Sequence, residues 1–421
     1  MADHETGELS KKTFESGISR LETSKSFFVD PVRVLNRHYT QFRVCPSAYY
    51  SRFIESKQPN KPSHVSPRKR KRKNKKGVHP LNEREQAADR RHREARHWLV
   101  RAYDSFLKVA DPLLAIPDCR VGDFCREHDL LSPSARQSFI DLGKVWQASL
   151  YAITLNICPH DWPRHDGGAS VVQCTEQRVV PLFENIIFNE TKDDVEAEFF
   201  SRQYIIPRES CFYTSDLKLL RRLIPESPDC GFNLIVVDPP WENSSAHQKS
   251  MYPTLPNRYF LSLPIKQLTH TEGALVALWV TNREKFWNFV EKELFPAWGV
   301  TYMATFYWLK VRPDGSLLCD LDLFHHRPYE CLLLGYCIPE VVDSKSLSDF
   351  KPIQDNQVII SIPGEFSRKP PIEELVGEYV PGLKPRRCIE LFARELMGGW
   401  TSWGNEPLRF QDSTFFHKLM P

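Results

Sequence analysis

One short stretch, residues 232–241, constrains the fold of this chain more than any other. Its first half contains the continuous apolar run Leu-Ile-Val-Val at positions 234–237, which is typical of a parallel strand covered on both faces. The stretch then ends in Asp238, two prolines and Trp241. In open α/β sheets the carboxyl end of such a strand carries the ligand site, and prolines fix the backbone that follows. The residues therefore predict a rigid, acceptor-rich socket with a flat aromatic wall, suited to a planar ring that carries an exocyclic amine.

Beyond about residue 172, predicted strands alternate with predicted helices. The stretches with strand character lie at 210–214, 234–237, 275–280, 300–311, 330–337, 358–362 and 388–392. Strands that alternate with helices usually pair in parallel and are covered on both faces. This pattern predicts a doubly wound α/β sheet, and we assign it to a domain that spans residues 171–421.

Two other regions precede this domain. Residues 1–80 are an N-terminal segment and a linker, and the aromatic-rich part at 27–54 is expected to pack back on a later domain. Residues 81–111, bounded by prolines at 80 and 112, predict one long helix with an amphipathic second half. Residues 119–158 show helical spacing as well. The sequence thus predicts a mainly helical domain over residues 81–170.

Positive charge is concentrated in two places, although the net charge is only +3. The run at 68–76 starts with Arg68, Lys69 and Arg70, and its self-repulsion keeps it extended. We interpret it as a nuclear import signal, which predicts a nuclear protein, or as a phosphate-binding arm; a solvated linker is the plain alternative. The arginine-rich first half of the predicted helix at 81–111 fits either a helix near nucleic acid or a solvated face.

Several classes of protein are disfavoured by the sequence. No window approaches the ~18 apolar residues of a membrane span, and the polar N-terminus does not resemble a secretory signal. The 11 cysteines are scattered without a C-x-x-C pair, which favours a reducing compartment and predicts no metal site. Glycine-rich phosphate loops and a nucleophile elbow are also missing. Any cofactor must therefore be bound by other groups.

Polar side chains that could bind such a cofactor follow several of the predicted strands. They are Asp216, Asp238, Lys369, Arg394, Asn405 and Glu406. Carboxylates, cations and an amide together suit a nucleoside that carries an amino acid. A lysine can bind its carboxylate, and acids can bind its ammonium group or its ribose hydroxyls. Taken singly, each of these residues is more often a surface charge.

The tetrapeptide Asp238-Pro239-Pro240-Trp241 after a buried strand resembles the signature of the MT-A type of N6-adenine methyltransferases. The resemblance covers roughly residues 205–410 and includes the stretches at 367–370, 389–394 and 399–406. Details at 242–243, 279–282 and 326–330 resemble the methyltransferase-like-four branch, and its plant form in particular. This resemblance implies a Rossmann-like methyltransferase with permuted motif order that uses S-adenosylmethionine.

The resemblance also assigns roles to residues of this sequence. The cofactor would be bound by Asp216, Asp238, Lys369, Arg394, Asn405 and Glu406, the last standing where the family commonly has a glutamine. Asp238 and the carbonyl of Pro239 would accept the two N–H bonds of the adenine amine. Pro240 would stiffen the turn, and Trp241 would stack on the base. The plain alternatives are a turn-capping carboxylate for Asp238 and a core side chain for Trp241. Two basic residues, Lys310 and Arg327, would face the nucleic acid in this fold, and plain solvation is the alternative for each of them.

Three functional hypotheses remain open at this point. The first is methylation of adenosine in RNA, most specifically of 2′-O-methyladenosine in small nuclear RNA. The second is methylation of adenine in DNA. The third is a catalytically inactive scaffold for an active partner, which the intact tetrapeptide and the retained Lys369, Arg394 and Asn405 disfavour. The chain could act as a monomer or with a different partner chain.

Overall fold

A computed structural model describes residues 16–21, 24–54, 81–110, 138–157, 176–242, 254–324, 326–339, 350–382 and 384–419. The basic run at 68–76 and residues 119–137 of the predicted helical domain lie outside these ranges. None of the described helices is long and apolar enough to cross a membrane.

Seventeen strands occur in the described part of the chain. They are β1 (Ile18–Leu21), β2 (Ser26–Val29), β3 (Phe42–Val44), β4 (Ala152–Ile157), β5 (Glu176–Pro181), β6 (Ile186–Asn189), β7 (Val195–Phe199), β8 (Arg202–Ile206), β9 (Ser210–Thr214), β10 (Leu234–Val237), β11 (Ala274–Val280), β12 (Val300–Lys310), β13 (Tyr329–Cys337), β14 (Gln357–Ser361), β15 (Cys388–Leu391), β16 (Trp400–Gly404) and β17 (Phe416–Lys418).

The α-helices of the described residues are mostly short. They are α1 (Pro31–Asn36), α2 (Pro46–Tyr49), α3 (Ser51–Ile54), α4 (Glu83–Leu107), α5 (Phe139–Lys144), α6 (Ile265–Leu268), α7 (Glu284–Phe289), α8 (Phe295–Trp298) and α9 (Glu373–Val376). A π-helical turn, Val290–Leu294, joins α7 to α8. Single 3-10 turns cover Ala148–Leu150, Leu217–Leu223, Pro228–Cys230, Asn257–Ser262, Glu365–Ser367 and Ser413–Phe415.

The main sheet has eleven strands in the order β1-β2-β14-β12-β13-β11-β10-β15-β16-β9-β6. Strands β11, β10, β15, β16 and β9 are mutually parallel, and β13 runs antiparallel to β11. Every residue of β10 is buried, as the apolar run predicts for a central strand covered on both faces. The late strand β15 pairs with β10, and β16 pairs with β15, so the carboxyl edge of the sheet is completed from the far end of the chain. The predicted α/β fold is confirmed, with a large mixed sheet at its centre.

The aromatic-rich N-terminal segment packs on the main domain, as expected. Strand β2 pairs in parallel with β14, and β3 pairs with β17 near the C-terminus. Tyr39 and Tyr49 are almost fully buried in the same core as β10. This segment is therefore part of the α/β domain in space, although about 120 residues of linker and other structure separate the two in sequence.

The predicted long helix near residues 81–111 is confirmed as α4, which spans 25 residues. A capping box starts it, because Asn82 accepts from the backbone of Glu85 and the Glu85 side chain accepts in return, both at 2.9 Å. Its buried face packs on the main sheet, where Phe106 stacks on Phe28 with ring centroids 5.5 Å apart. This helix is thus a layer on the main sheet.

The prediction of continued helix over residues 119–158 is wrong for its last part. Residues Ala152–Ile157 form β4, in a second, antiparallel sheet of order β5-β4-β7-β8. Ile153 and Leu155 are buried and alternate with more exposed neighbours, which is a strand period, whereas Trp146 is 84% exposed. Pairing with β7 and β5 decides the outcome, because the apolar spacing alone fits both periods. The described part of residues 81–170 is therefore not a separate helical domain.

Candidate active site

A cleft of about 990 Å³ opens at the carboxyl edge of the main sheet. The chain leaves four neighbouring parallel strands there, with Asp238 directly after β10, Arg394 after β15, Asn405 after β16 and Asp216 after β9. Lys369 and Glu406 line the same cleft. The structure thus brings all six proposed cofactor ligands together, because parallel strands end at one edge. Their individual roles stay predictions.

Two cations hold the carboxylate of Asp238. The Nζ atom of Lys369 lies 3.0 Å from Oδ1 and 3.2 Å from Oδ2, and Nη2 of Arg394 lies 3.6 Å from Oδ2. The guanidinium of Arg394 also donates to the carbonyl of Phe366 at 2.9 Å. Burial by itself lowers the pKa of Lys369, but Asp238 and Glu330 outweigh it and raise that pKa above its ordinary value. Lys369 is therefore a permanent cation at neutral pH, positioned to bind a carboxylate.

The prolines of the tetrapeptide already use their carbonyl groups. The carbonyl of Pro239 accepts from the backbone N–H of Trp241 at 2.8 Å, and that of Pro240 accepts from Leu255 at 3.1 Å. Each carbonyl of the predicted acceptor-rich turn therefore already accepts one hydrogen bond within the protein. A carbonyl oxygen has two lone pairs, so Pro239 retains one acceptor position for a substrate amine.

Trp241 is buried in the core, whereas the predicted stacking role requires an exposed ring face. Its side chain is only 5% exposed, and its indole N–H donates to the carbonyl of Trp279 at 2.8 Å. Its ring lies 5.0 Å from that of Phe286 and meets Phe260 edge-on at 5.3 Å. The described side chains thus favour the plain alternative, in which Trp241 is a core side chain that anchors the turn.

Lys310 does not face outward as predicted. It forms an ion pair with Glu330 beneath the cleft, and both side chains are mostly buried, at 12% and 17% exposed. Burial raises the pKa of Glu330, but the ammonium groups of Lys310 and Lys369 outweigh this and lower it to about 2. Glu330 therefore stays ionised and forms a second ion pair with Lys369, with Nζ–Oε2 at 3.3 Å.

Arg327 is also buried, at 5% of its side chain exposed, contrary to the prediction of a nucleic-acid contact. It donates to the carbonyl of Ala88 at 3.1 Å and lies 3.8 Å from a carboxylate oxygen of Asp89. His92 and Arg96 of the same helix bind Asp322 in the loop that precedes Arg327. These contacts fasten α4 to the loop before β13, so Arg327 has a structural role here.

The remaining proposed ligands lie at the far end of the cleft. Asp216 caps the 3-10 turn after β9 by accepting from the N–H of Lys218 at 2.8 Å. Glu406 forms an ion pair with Arg409 at 2.8 Å, and Asn405 is exposed. The basic residues Arg68, Lys69 and Arg70 lie outside the described residues, and their role stays a prediction.

Sequence reasoning missed several residues of the site. Glu330 and Glu390 were not proposed, although a lone acid inside an apolar strand, as at Glu390 in β15, was the available signal. Burial raises the pKa of Glu390 to about 7, and the Asp238 carboxylate adds to that effect. The far wall of the cleft comes from α5 and from Phe183 and Glu184, which no local motif marks.

The lining of the cleft fits a nucleoside that carries an amino acid. The two cations beside Asp238, Lys369 and Arg394, suit a carboxylate. The side chains of Asp216, Asn405 and Glu406 suit ribose hydroxyls. The hydroxyls of Thr214 and Thr281 are buried in this lining and have no hydrogen-bond partner among the described residues.

The fold and this strand-end cleft define an α/β methyltransferase domain. Residues 232–406 match the MT-A70 family model, so this part of the chain is similar to an MT-A70 domain. The chain is 37% identical over 244 residues to the mouse N(6)-adenine-specific methyltransferase METTL4, and the aligned region is 56% of this chain and 50% of the mouse protein. The human METTL4 is 35% identical over 239 residues, covering 56% and 49%.

A fungal protein is similar as well. The N6-methyladenosine RNA methyltransferase MTA1 of Pyricularia oryzae is 36% identical over 220 residues, which is 50% of this chain and 56% of the fungal protein. The alignments with the METTL4 proteins thus span about half the length of those relatives. The expected plant origin stays a prediction.

Proposed function

We propose that this chain transfers a methyl group from S-adenosylmethionine to the exocyclic amine of adenosine in RNA. The single observation that carries the proposal is the carboxylate of Asp238, held by Lys369 and Arg394 at the rim of a cleft large enough for a nucleoside cofactor and a base. The relatives named as N6-adenine methyltransferases support the reaction class.

The charged side chains of the cleft would bind different parts of the cofactor. Lys369 would bind the α-carboxylate, with Arg394 beside it, and Asp238 would then face the ammonium group or the substrate. Asp216, Asn405 and Glu406 would bind the adenosine part. S-adenosylmethionine supplies an electrophilic methyl group on a sulfonium, which needs no metal to leave as a neutral thioether.

The residues of this chain would contribute to the reaction by positioning the adenine amine. An adenine amine is a weak nucleophile because its lone pair is delocalised into the ring. Asp238 and the second lone pair of the Pro239 carbonyl would accept its two N–H bonds and so hold the nitrogen toward the methyl group. Orientation and fixed charges of this kind supply most of the acceleration in such transfers. Asp238 or water would accept the proton that the amine loses.

We propose RNA as the substrate, and specifically 2′-O-methyladenosine of small nuclear RNA, giving N6,2′-O-dimethyladenosine. The resemblance to the methyltransferase-like-four branch supports this choice, and the name of the fungal relative refers to RNA. Bases in single strands reach a cleft at lower cost than bases within a duplex. Methylation of DNA adenine is the alternative outcome of the same assay.

The assay offers labelled S-adenosylmethionine with matched RNA and DNA oligonucleotides, each with and without a 2′-O-methyl group at the target adenosine. We expect preferential labelling of the 2′-O-methylated RNA. Loss of labelling in Asp238→Asn, with cofactor affinity retained, would support the catalytic assignment. Full activity of that variant would overturn it, and cofactor binding without transfer to any substrate would favour an inactive scaffold.

We propose that the protein acts in the nucleus and that residues 68–76 direct its import. The support is the density of Lys and Arg in that run. A fluorescent fusion that lacks 68–76 should spread through the cytoplasm while the full chain concentrates in the nucleus. An unchanged distribution would exclude this run as the signal.

A further inference from the structure

The loop that carries Lys369 has a strained backbone. Phe366 and Ser367 both adopt positive φ angles, at 50° and 59°, which side-chain-bearing residues rarely take. Such a conformation persists only where the surroundings hold it in place. The position of Lys369 against Asp238 therefore depends on whatever fixes this loop.

Several of the contacts that fix this loop are made by the side chain of Arg368, which lies directly before Lys369. Its guanidinium contacts two aromatic rings, 4.3 Å from the centroid of Tyr49 and 4.4 Å from that of Phe410. Glu395 binds the same guanidinium through both carboxylate oxygens, with Nε–Oε2 at 2.9 Å. Arg368 is 4% exposed, so these contacts lie in a desolvated environment where cation–π attraction is strongest.

The N-terminal segment reaches this loop at further points. Ser51 of α3 donates to the carboxylate of Glu365. A side chain on Gly364 would meet Cε1 of Tyr49 at 2.9 Å, so the ring of Tyr49 lies directly against the start of the loop. The hydroxyl of Tyr49 is buried without a hydrogen-bond partner among the described residues. The ring, and not the hydroxyl, is therefore the part of Tyr49 that this loop uses.

We propose that Tyr49 is a positioning residue for the cofactor site, acting through Arg368 to hold Lys369 in its contact with Asp238. This inference rests on the proposed function of Lys369 as the ligand of the cofactor carboxylate. Tyr49 lies upstream of the family domain at 232–406 and Phe410 lies beyond its end. The family domain of this chain consequently lacks both rings that hold its own cofactor loop, and residues 42–54 belong to the functional unit.

The test compares cofactor affinity in the full chain by isothermal titration calorimetry with S-adenosylmethionine and S-adenosylhomocysteine. Tyr49→Leu removes the ring and should raise both dissociation constants at least tenfold, or about 1.4 kcal/mol. Tyr49→Phe keeps the ring and should stay within twofold of the wild type. In a double-mutant cycle, Tyr49→Leu should add little to Arg368→Leu, because the first acts through the second.

Phe106→Leu is the matched control for a general loss of stability. It removes a buried ring from the same core, where Phe106 stacks on Phe28, away from Arg368. It should lower the melting temperature and leave cofactor affinity unchanged. If Tyr49→Leu fails to fold, Phe410→Leu removes the opposite ring and should give the same loss of affinity.

Two results would overturn the inference: wild-type affinity in a folded Tyr49→Leu, or an equal loss of affinity in Tyr49→Phe. Failure of the proposed function gives a different result, because the wild-type chain itself would then bind neither cofactor form.

Discussion

Replacement of Glu390 by glutamine should stabilise this protein at alkaline pH. Glu390 lies opposite Val236 in the parallel register and so projects on the same side of the sheet as Asp238. It shares a cavity of about 50 Å³ with Asp238, Lys369 and Arg394. Burial raises its pKa to about 7, the nearby Asp238 carboxylate adds to this, and the two cations only partly oppose it. An ionised Glu390 is therefore costly to the folded state.

The magnitude follows from linkage. A change from the ordinary value of 4.5 to about 7 corresponds to roughly 3 kcal/mol at about 1.36 kcal/mol per pH unit. The folded state binds the proton more tightly than the unfolded chain, so the free energy of unfolding falls as pH rises from 4.5 to 7. A neutral amide avoids this loss. Glu390→Gln should thus match the wild type near pH 4.5 and exceed it by roughly 3 kcal/mol at pH 8.

Urea denaturation of both proteins at pH 5, 6, 7 and 8 measures this difference, with linear extrapolation at each pH. Parallel pH profiles for the two proteins would refute the reasoning. Glu330→Gln is the control, and its effect on the free energy of unfolding should have the opposite sign. Lys310 and Lys369 lower the pKa of Glu330 to about 2 against the effect of burial, so its ionised form stabilises the folded state. Its stabilisation is present above about pH 4.5 and is lost as pH falls toward 2, so this variant should lose about 3 kcal/mol at pH 8.

Three further predictions concern the lining and support of the cleft. Trp241→Phe loses the hydrogen bond to the Trp279 carbonyl and should lower the free energy of unfolding by about 1–3 kcal/mol, measured by urea denaturation, with unchanged cofactor affinity. A selective loss of RNA binding in this variant would instead support the stacking role. Arg327→Gln should speed hydrogen exchange in the first half of α4, because the contact with Ala88 is lost; unchanged exchange would contradict this. Tyr259 is 56% exposed on the cleft wall and should stack on a base. Tyr259→Ala should therefore raise the KM for RNA about tenfold, whereas Tyr259→Phe should keep a KM near that of the wild type. A KM of Tyr259→Ala equal to that of the wild type would exclude the contact.

Local patterns predicted the centre of the site well. The apolar run of β10 needed no context, because a strand buried on both faces is apolar at every position. Asp238, Arg394, Asn405 and Asp216 were found together because each follows a parallel strand, and the ends of such strands meet at one edge. Helix α4 was found because its capping box and apolar spacing are both encoded within its own residues.

Side-chain direction was predicted poorly. Lys310 and Arg327 were assigned to nucleic acid as lone basic residues, but each is buried beside an acid that lies elsewhere in the chain. The strand β4 was taken as helix because apolar residues at three- and four-residue spacing can coincide with alternation over six residues. In these cases the missing information was the identity of a partner distant in sequence.

The sequence by itself determined the class of this protein. An apolar run that ends in Asp238-Pro239-Pro240-Trp241 is a local feature, since both the run and the proline geometry are properties of adjacent residues. Only the tertiary structure decided how the site is built. It buried Trp241, paired Lys369 with both Asp238 and Glu330, and brought Tyr49 from outside the family domain against Arg368. The physical reason is that ion pairs and ring contacts depend on distances in space, which chain spacing does not encode.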